Sequence, residues 1–243
     1  MWGFDEYVPV AEKRAKAQKQ IEKLRKKNAG IKPVIVEGNK VVKTWWGIAW
    51  IKNLESYADY ANRIGRGRAY VKNGFVLDLQ LEEGLITGLV QGSQAKPYDI
   101  SISIAPLSKE KWQKIVSAYG HSVASLEALA EGRFPQELSD SFMAQGSLFP
   151  SPREIQLSCS CPDWANMCKH VAAVLYGVGA RFDADPLLFF KLRGIPFKEL
   201  LKKSVQEKMN NMLKNANQKT SRMIDETAVD VSGLFGIEIP AEH

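Results

Sequence analysis

Cysteine and histidine are scarce in this chain of 243 residues, which contains three of each. An odd number of cysteines excludes a complete set of disulfides. A chain of this length also buries enough apolar surface to fold without covalent cross-links. Because all three cysteines lie within ten positions, they favour a metal site in a reducing compartment over a redox bridge.

Long hydrophobic runs are missing as well. The longest, residues 171–180, has about half the length that a helix needs to span a bilayer. The first ten residues, MWGFDEYVPV, contain acids where a signal peptide has lysines, and they lack its apolar stretch. These features predict a cytoplasmic protein with no membrane association.

Motifs of common enzyme classes do not occur. The chain has no phosphate-binding GxxxxGK[ST] loop and no GxSxG nucleophile turn. It also lacks the HxE and PCxxC motifs of the nucleobase deaminases. His121 and His243 are isolated in the sequence. We therefore expect no catalytic activity and no small-molecule substrate.

Positive charge is concentrated near the N-terminus. Residues 11–32 hold nine Lys or Arg and two Glu, a net charge of +7, whereas the whole chain carries +6. Helix-forming residues dominate this arm and Gly30 ends it, so we expect a helix that packs poorly and orders on binding. The arm suits nucleic acid or another acidic partner, and a solvated helix face is the alternative. Its candidate contacts are Lys13, Arg14, Lys16, Lys19, Lys23, Arg25, Lys26 and Lys27.

The hydrophobic pattern predicts an α+β fold, an antiparallel sheet meander with packed helices. Trp46, Trp50 and Leu54 recur at helical spacing and predict a helix over about residues 47–62, with its aromatic stripe in the core. A meander of four strands follows, the first two joined by Asn73-Gly74 as a hairpin turn. These strands are RAYV, FVLDLQL, LITGLVQG and YDISISI.

Helices and one short strand are expected in the second half. Ser108 caps a predicted helix that stops at Gly120, and two more are expected at about residues 123–131 and 136–144. The segment REIQLS is expected to form a strand, and KHVAAVLYGVGARF the helix that follows.

The segment CSCPDWANMCKH contains all three cysteines in the pattern C-x-C-x6-C-x-H. Structural zinc takes four thiolate or imidazole ligands, and this segment offers Cys159, Cys161, Cys168 and His170. Residues two apart on a strand face one side, which suits the first pair, and the second pair fits a helix start. Four ligands predict one structural zinc with no open position. The alternative is three buried, reduced cysteines beside an ordinary histidine.

The stretch CSCPDWANMCKHVAAVLY resembles the core of the SWIM zinc finger, including its Pro-Asp-Trp turn and the apolar helix after Cys-Lys-His. Outside it, TWWGIAWIKNLE, RIGRGRAYVKNG, LVQGSQAKPYDISISI and DPLLFFKLRG look like the small bacterial SWIM proteins. The likeness spans roughly residues 44–195. The resemblance implies that the same four residues bind zinc. It also implies association with DNA transactions, often beside Swi/Snf-type helicase-like ATPases.

A second basic cluster lies outside the arm. No acid interrupts residues 61–77, and Gly65 and Gly67 there are expected to let the backbone approach a phosphate. The helix after Cys168 is expected to expose its first N–H groups. The candidate contacts are Arg63, Arg66, Arg68, Lys72 and Lys169.

Two functions follow as hypotheses. One is a non-catalytic protein that binds DNA, or RNA, with or without a helicase-like ATPase. The other is a protein adaptor without nucleic-acid contact. Four segments are predicted: a basic arm (1–32), an α+β domain with a four-stranded meander (33–150), a zinc finger with a strand-turn-helix core (151–195), and a basic helix with a C-terminal tail (196–243).

Overall fold

The structure, a computed structural model, describes residues 8–119, 139, 149–196, 209–210 and 212–213. The chain divides into two compact units, residues 1–197 and 198–243. The helices predicted at about 123–131 and 136–144 lie outside the described residues, as do most of the predicted basic helix and the C-terminal tail. None of the described helices has the length and apolar character that crossing a membrane requires.

The described residues form six α-helices and one four-stranded antiparallel sheet, which confirms the predicted α+β class. The helices are α1 (Val10–Lys27), α2 (Trp45–Glu55), α3 (Ala61–Lys72), α4 (Lys109–Tyr119), α5 (Lys169–Ala184) and α6 (Leu187–Leu192). The strands are β1 (Val76–Glu82), β2 (Leu85–Val90), β3 (Tyr98–Ile104) and β4 (Ile155–Cys159). A 3-10 turn, Pro152–Glu154, leads into β4.

The sheet has the order β1-β2-β3-β4. A tight turn joins β1 to β2, and the loop 91–97 joins β2 to β3. Strand β4 arrives from the second half of the chain to pair with β3, so that Cys159 lies opposite Ile100. The cysteine segment is therefore built onto the edge of the main sheet. The predicted α+β domain and the predicted zinc finger share this sheet and one compact unit, while the predicted boundaries between the four segments stay a prediction.

The predicted strand RAYV is wrong, because its residues belong to α3. Gly74 has a φ of 72°. Its N–H bonds to the carbonyl of Val71, and the N–H of Phe75 bonds to the carbonyl of Tyr70. This pair of bonds is a Schellman C-cap, which needs a left-handed residue just as a type I′ hairpin turn does. An Asn-Gly pair therefore signals either structure.

Packing against α5 favours the helix over the strand. Gly67 and Val71, one helical turn apart, are the buried residues of α3. A Cβ on Gly67 would lie 2.5 Å from the Cβ of Ala172, so only glycine permits this approach.

The predicted helix over about 47–62 is also wrong at its end, since α2 stops at Glu55 and a new helix begins at Ala61.

Helix α5 is the centre of the core, with 11 of its 16 residues buried. It packs against α3, α2 and the sheet. Trp50 of α2 is completely buried, and its Nε1 donates to the carbonyl of Leu175 at 3.0 Å. The interpretation of the tryptophan stripe as core is confirmed at this residue.

Helix α1 packs on the sheet, so the expectation of poor packing is wrong. Ala17 is 1% exposed and forms a cluster with Phe75 and Leu77, against which Ile21 and Leu24 also pack. Positions 17, 21 and 24 make one narrow apolar stripe, and such a stripe is enough to dock a short helix. The remaining faces of α1 are exposed and basic.

Candidate zinc centre and the groove beside it

Strand β4 and helix α5 bring the four predicted ligands together. Cys159 ends β4, Cys161 follows two residues later, Cys168 is the N-cap of α5, and His170 lies in its first turn. All four ligand atoms lie within 4.8 Å of one another, and His170 Nδ1 is 3.9 Å from the sulfurs of Cys159 and Cys168. A tetrahedral zinc ion with bonds of about 2.0–2.3 Å separates its ligands by about 3.6–3.8 Å. The four residues are thus positioned to bind a single zinc ion.

Contacts between the three cysteine sulfurs shift the pKa values of their thiols in opposite directions. A hydrogen bond from the Cys159 thiol, together with His170 and the backbone N–H of Val171, lowers the pKa of Cys168 to about 4. The same sulfur–sulfur contact raises the pKa of Cys159, and burial raises the pKa of Cys161. A divalent cation held by the thiolates makes all three ionised forms favourable. Zinc with these four protein ligands would tie β4 to α5 and keep no open coordination position.

The start of α5 serves the metal ligands rather than an outside anion. The backbone N–H of Val171 donates to the Cys168 sulfur at 3.5 Å, and His170 is 2% exposed. The expectation that this turn points its free N–H groups outward is therefore wrong at Val171. The positive end of the helix instead stabilises a thiolate.

Two carboxylates outside the ligand set hold the turn between the ligand pairs, residues 162–167, which we call the zinc turn. Asp59, from the loop before α3, accepts the N–H groups of Asn166 at 2.8 Å and Met167 at 3.1 Å. Asp163 within the turn forms an ion pair with Arg63 at 3.0 Å. Sequence reasoning missed Asp59, because no local signal connects it to a turn 107 residues away.

The predicted basic residues of α3 fall into separate environments. Arg63 lies against the zinc turn through Asp163. Arg68 forms an ion pair with Glu55 at 2.7 Å and donates to the Tyr176 hydroxyl at 3.1 Å. Gly67 is packed against α5, so the expectation that it admits a phosphate is wrong. Lys72 is exposed near the end of the helix.

Four of the predicted basic residues meet in one cavity of about 690 Å³. Lys13 and Lys16 come from α1, Arg66 from α3 and Lys169 from α5, and among the described lining residues Glu12 is the one acid. We call this cavity the basic groove. Its other walls are formed by Val8, Tyr70, Phe75, Gln91, Gly92, Ser93 and Gln94.

The residues that the structure describes neutralise the cations of the basic groove only weakly. Among the described residues Arg66 makes no ion pair, and the Lys169 ammonium lies 5.9 Å from the centre of the Tyr70 ring. Burial, and after it the charge of Arg66, lowers the pKa of Lys169. Lys16 donates to the carbonyl of Gln94 at 3.3 Å. An anion in the groove would relieve the repulsion between these cations.

The other predicted bases of the arm lie outside the groove. Arg14 donates through Nε to the Asn73 side chain at 2.9 Å, which joins α1 to the end of α3. The remaining five are exposed along α1: Lys19, Lys23, Arg25, Lys26 and Lys27. They extend the positive surface beyond the groove, and their role in binding stays a prediction.

Residues 143–178 match the model of the SWIM zinc finger. The chain therefore contains a SWIM zinc finger, and the resemblance seen in the sequence is confirmed for this segment. The match includes all four ligand positions. No solved structure matches the chain.

A relative occurs in Mycobacterium tuberculosis under the name "Uncharacterized protein Rv2102". It is 40% identical over 174 residues, which cover 71% of this chain and 62% of the relative. The match thus spans less than two thirds of the relative's length.

Proposed function

Because residues 143–178 match the SWIM zinc finger, we propose that this chain is a non-catalytic, cytoplasmic, zinc-binding protein that holds the phosphate backbone of a nucleic acid. DNA is the expected ligand, and RNA has the same backbone charge. The observation that carries the proposal is the basic groove, where bases from three helices line one cavity beside the finger. Lysine and arginine contacts to phosphate supply most of such affinity without reading sequence.

Within the groove, Arg66 and Lys169 have complementary roles. A guanidinium grips a phosphate through two parallel hydrogen bonds, and Arg66 has no competing ion pair among the described residues. Lys169 acts as a point charge whose ammonium is half-buried near Tyr70. Zinc supports this surface indirectly, because it fixes the start of α5 from which Lys169 projects.

We further propose that the protein works with a Swi/Snf-type helicase-like ATPase. Support for this partner comes from the SWIM resemblance alone. The chain itself has no phosphate-binding GxxxxGK[ST] loop. ATP hydrolysis would therefore belong to the partner.

Salt dependence of binding tests the nucleic-acid proposal. The variant Lys13→Glu/Lys16→Glu should weaken binding equally across sequences and reduce the slope of log K against log salt by about 2. Substitution is preferable to deletion of the arm, because deletion would uncover Phe75 and Leu77. A matched control, Lys40→Glu/Lys52→Glu, makes the same charge change on exposed residues outside the groove. An equal loss in both variants, or no binding by the wild type, would contradict the proposal.

A protein adaptor is the second candidate, favoured by an exposed aromatic pair that Trp164 of the zinc turn forms with Tyr60, the residue before α3. Trp164 is 79% exposed and Tyr60 41%, and their rings contact edge to face at 5.4 Å. Exposed tryptophan and tyrosine on a well-held surface are typical of protein interfaces. Affinity purification from the native cell, with and without nuclease, separates the candidates. A partner that survives nuclease and is lost with Trp164→Ser would favour the adaptor.

A further inference from the structure

A buried amide in the basic groove has a hydrogen-bond acceptor without a partner. Gln91 is 3% exposed and directly follows β2. Its Nε2 donates to the carbonyls of Gly92 at 3.0 Å and Gln94 at 2.8 Å, which fixes the orientation of the amide. Its Oε1 has no partner among the described residues. Buried polar atoms are nearly always paired, and Gln91 lines the basic groove, so this oxygen is an unused acceptor in the wall of the cavity.

An aromatic ring lines the same cavity. Tyr70 is half-buried and is held edge to face by Phe75 at 5.2 Å and by His170 at 5.4 Å. Neighbours on two sides leave the ring little freedom to move. A held aromatic ring beside cations is the arrangement on which nucleic-acid bases stack. Tyr70 and Gln91 therefore line the same cavity as the four cations.

We propose that the basic groove is a pocket for one unpaired nucleotide of a single strand. The base lies against Tyr70 and donates an N–H to Gln91 Oε1, while Arg66 and Lys169 hold its phosphate. The cavity of about 690 Å³ falls in the size range of ligand pockets, about 300–1,000 Å³. This inference rests on the proposed nucleic-acid function and specifies its substrate class.

The pocket should prefer single strands to duplexes, but it should not prefer one base over another. In a duplex the base faces are stacked and the pairing edges are used, so an unpaired strand is needed to place a base in the cavity. Every base carries at least one N–H donor, so the acceptor of Gln91 selects unpaired bases without selecting one base.

The test uses the zinc-loaded full chain and three labelled probes. They are a mixed-sequence single strand of about 12 nucleotides, its blunt duplex, and a strand of the same length that carries abasic sugars. The single strand should bind roughly tenfold tighter than either other probe, since loss of one stacked base costs about that factor. Equal binding of the duplex or of the abasic strand would overturn the pocket and leave the proposed function standing. No salt-dependent binding to any probe would overturn both.

A pair of variants adds a second readout. Tyr70→Leu should abolish the preference for the single strand over the abasic strand, whereas Tyr70→Phe should retain it, because the ring is kept. Zinc content and melting temperature check that each variant is folded. If Tyr70→Leu fails to fold, the affinities of the wild type for the single strand and for the abasic strand still test the pocket. A preference that persists in a folded Tyr70→Leu variant would overturn the assignment of Tyr70.

Discussion

The four zinc ligands lie within twelve residues of the sequence, whereas the four bases of the groove come from three helices between Lys13 and Lys169. The first site is made by one strand end, one turn and one helix start. The second exists only because α1, α3 and α5 pack together. A site with short-range geometry can be derived from spacing, and a surface assembled across the fold cannot.

The two regions also differ in what a substitution should affect. Cys168 and His170 are 1% and 2% exposed and join β4 to the central helix. Lys13, Lys16 and Arg66 are exposed, and their side chains contribute little to the core. Changes in the zinc cluster should therefore act on folding, and changes in the basic groove should act on binding.

The largest effect is expected from Cys168→Ser. It removes a zinc ligand and the sulfur that accepts the N–H of Val171. Since structural zinc contributes about 10–16 kcal/mol in isolated finger peptides, loss of the ion should cost several kcal/mol of stability. Metal analysis should find one zinc per wild-type chain and less in the variant, and thermal unfolding should show a large drop.

Ser158→Ala is the matched control for Cys168→Ser, because Ser158 is an exposed neighbour on β4. It should keep zinc and melt near the wild-type temperature. If the wild-type protein contained no zinc after purification without chelators, the prediction that these four residues bind zinc would be wrong.

An intermediate effect, on zinc affinity, is expected from Asp59→Ala. Asp59 lies outside the finger in the sequence but contacts it in the fold. The carboxylate accepts two backbone N–H groups of the zinc turn. Mutation of groups that support metal ligands typically lowers metal affinity by about 10–100-fold. Because Asp59 is exposed, we expect its substitution to lower zinc affinity by about tenfold. Competition with a zinc chelator measures the change. Glu37 is another exposed acid, and Glu37→Ala should leave the zinc affinity unaltered. An equal affinity in both variants would show that the zinc turn does not depend on Asp59.

The smallest effects should separate Arg66 from Arg68, which lie two residues apart on α3. Arg66→Gln should reduce the salt slope of binding by about 1 at an unchanged melting temperature. Arg68→Gln should cost about 1 kcal/mol or less of stability, because its ion pair with Glu55 is half-exposed. It should keep the wild-type slope. The opposite assignment of the two effects would mean that binding occurs on the Arg68 side of the helix.

Sequence reasoning succeeded where the chemistry is local. The ligand spacing predicted the cluster, and the hydrophobic pattern predicted β1, β2 and β3 within a few residues. It failed at α3, since Asn73-Gly74 caps a helix as readily as it turns a hairpin. The deciding contact, Gly67 against Ala172, joins distant parts of the chain.

The basic residues show the same limit. Arg63, Arg66 and Arg68 look equivalent in the sequence, and their separation depends on where Asp163 and Glu55 lie in the fold. The unpaired acceptor of Gln91 left no sequence signal at all, because its burial and its fixed amide arise from the turn after β2.

Lys169 belongs to both regions, and its substitution tests the division between them most directly. It lies between two zinc ligands in sequence and lines the basic groove. The measurement is the salt dependence of single-strand binding by Lys169→Gln, with zinc content determined on the same sample. We predict one zinc per chain, a melting temperature near that of the wild type, and binding that is weaker with a slope reduced by about 1. A variant that loses zinc, or one that binds with the wild-type slope, would contradict the separation of a structural zinc centre from a binding groove.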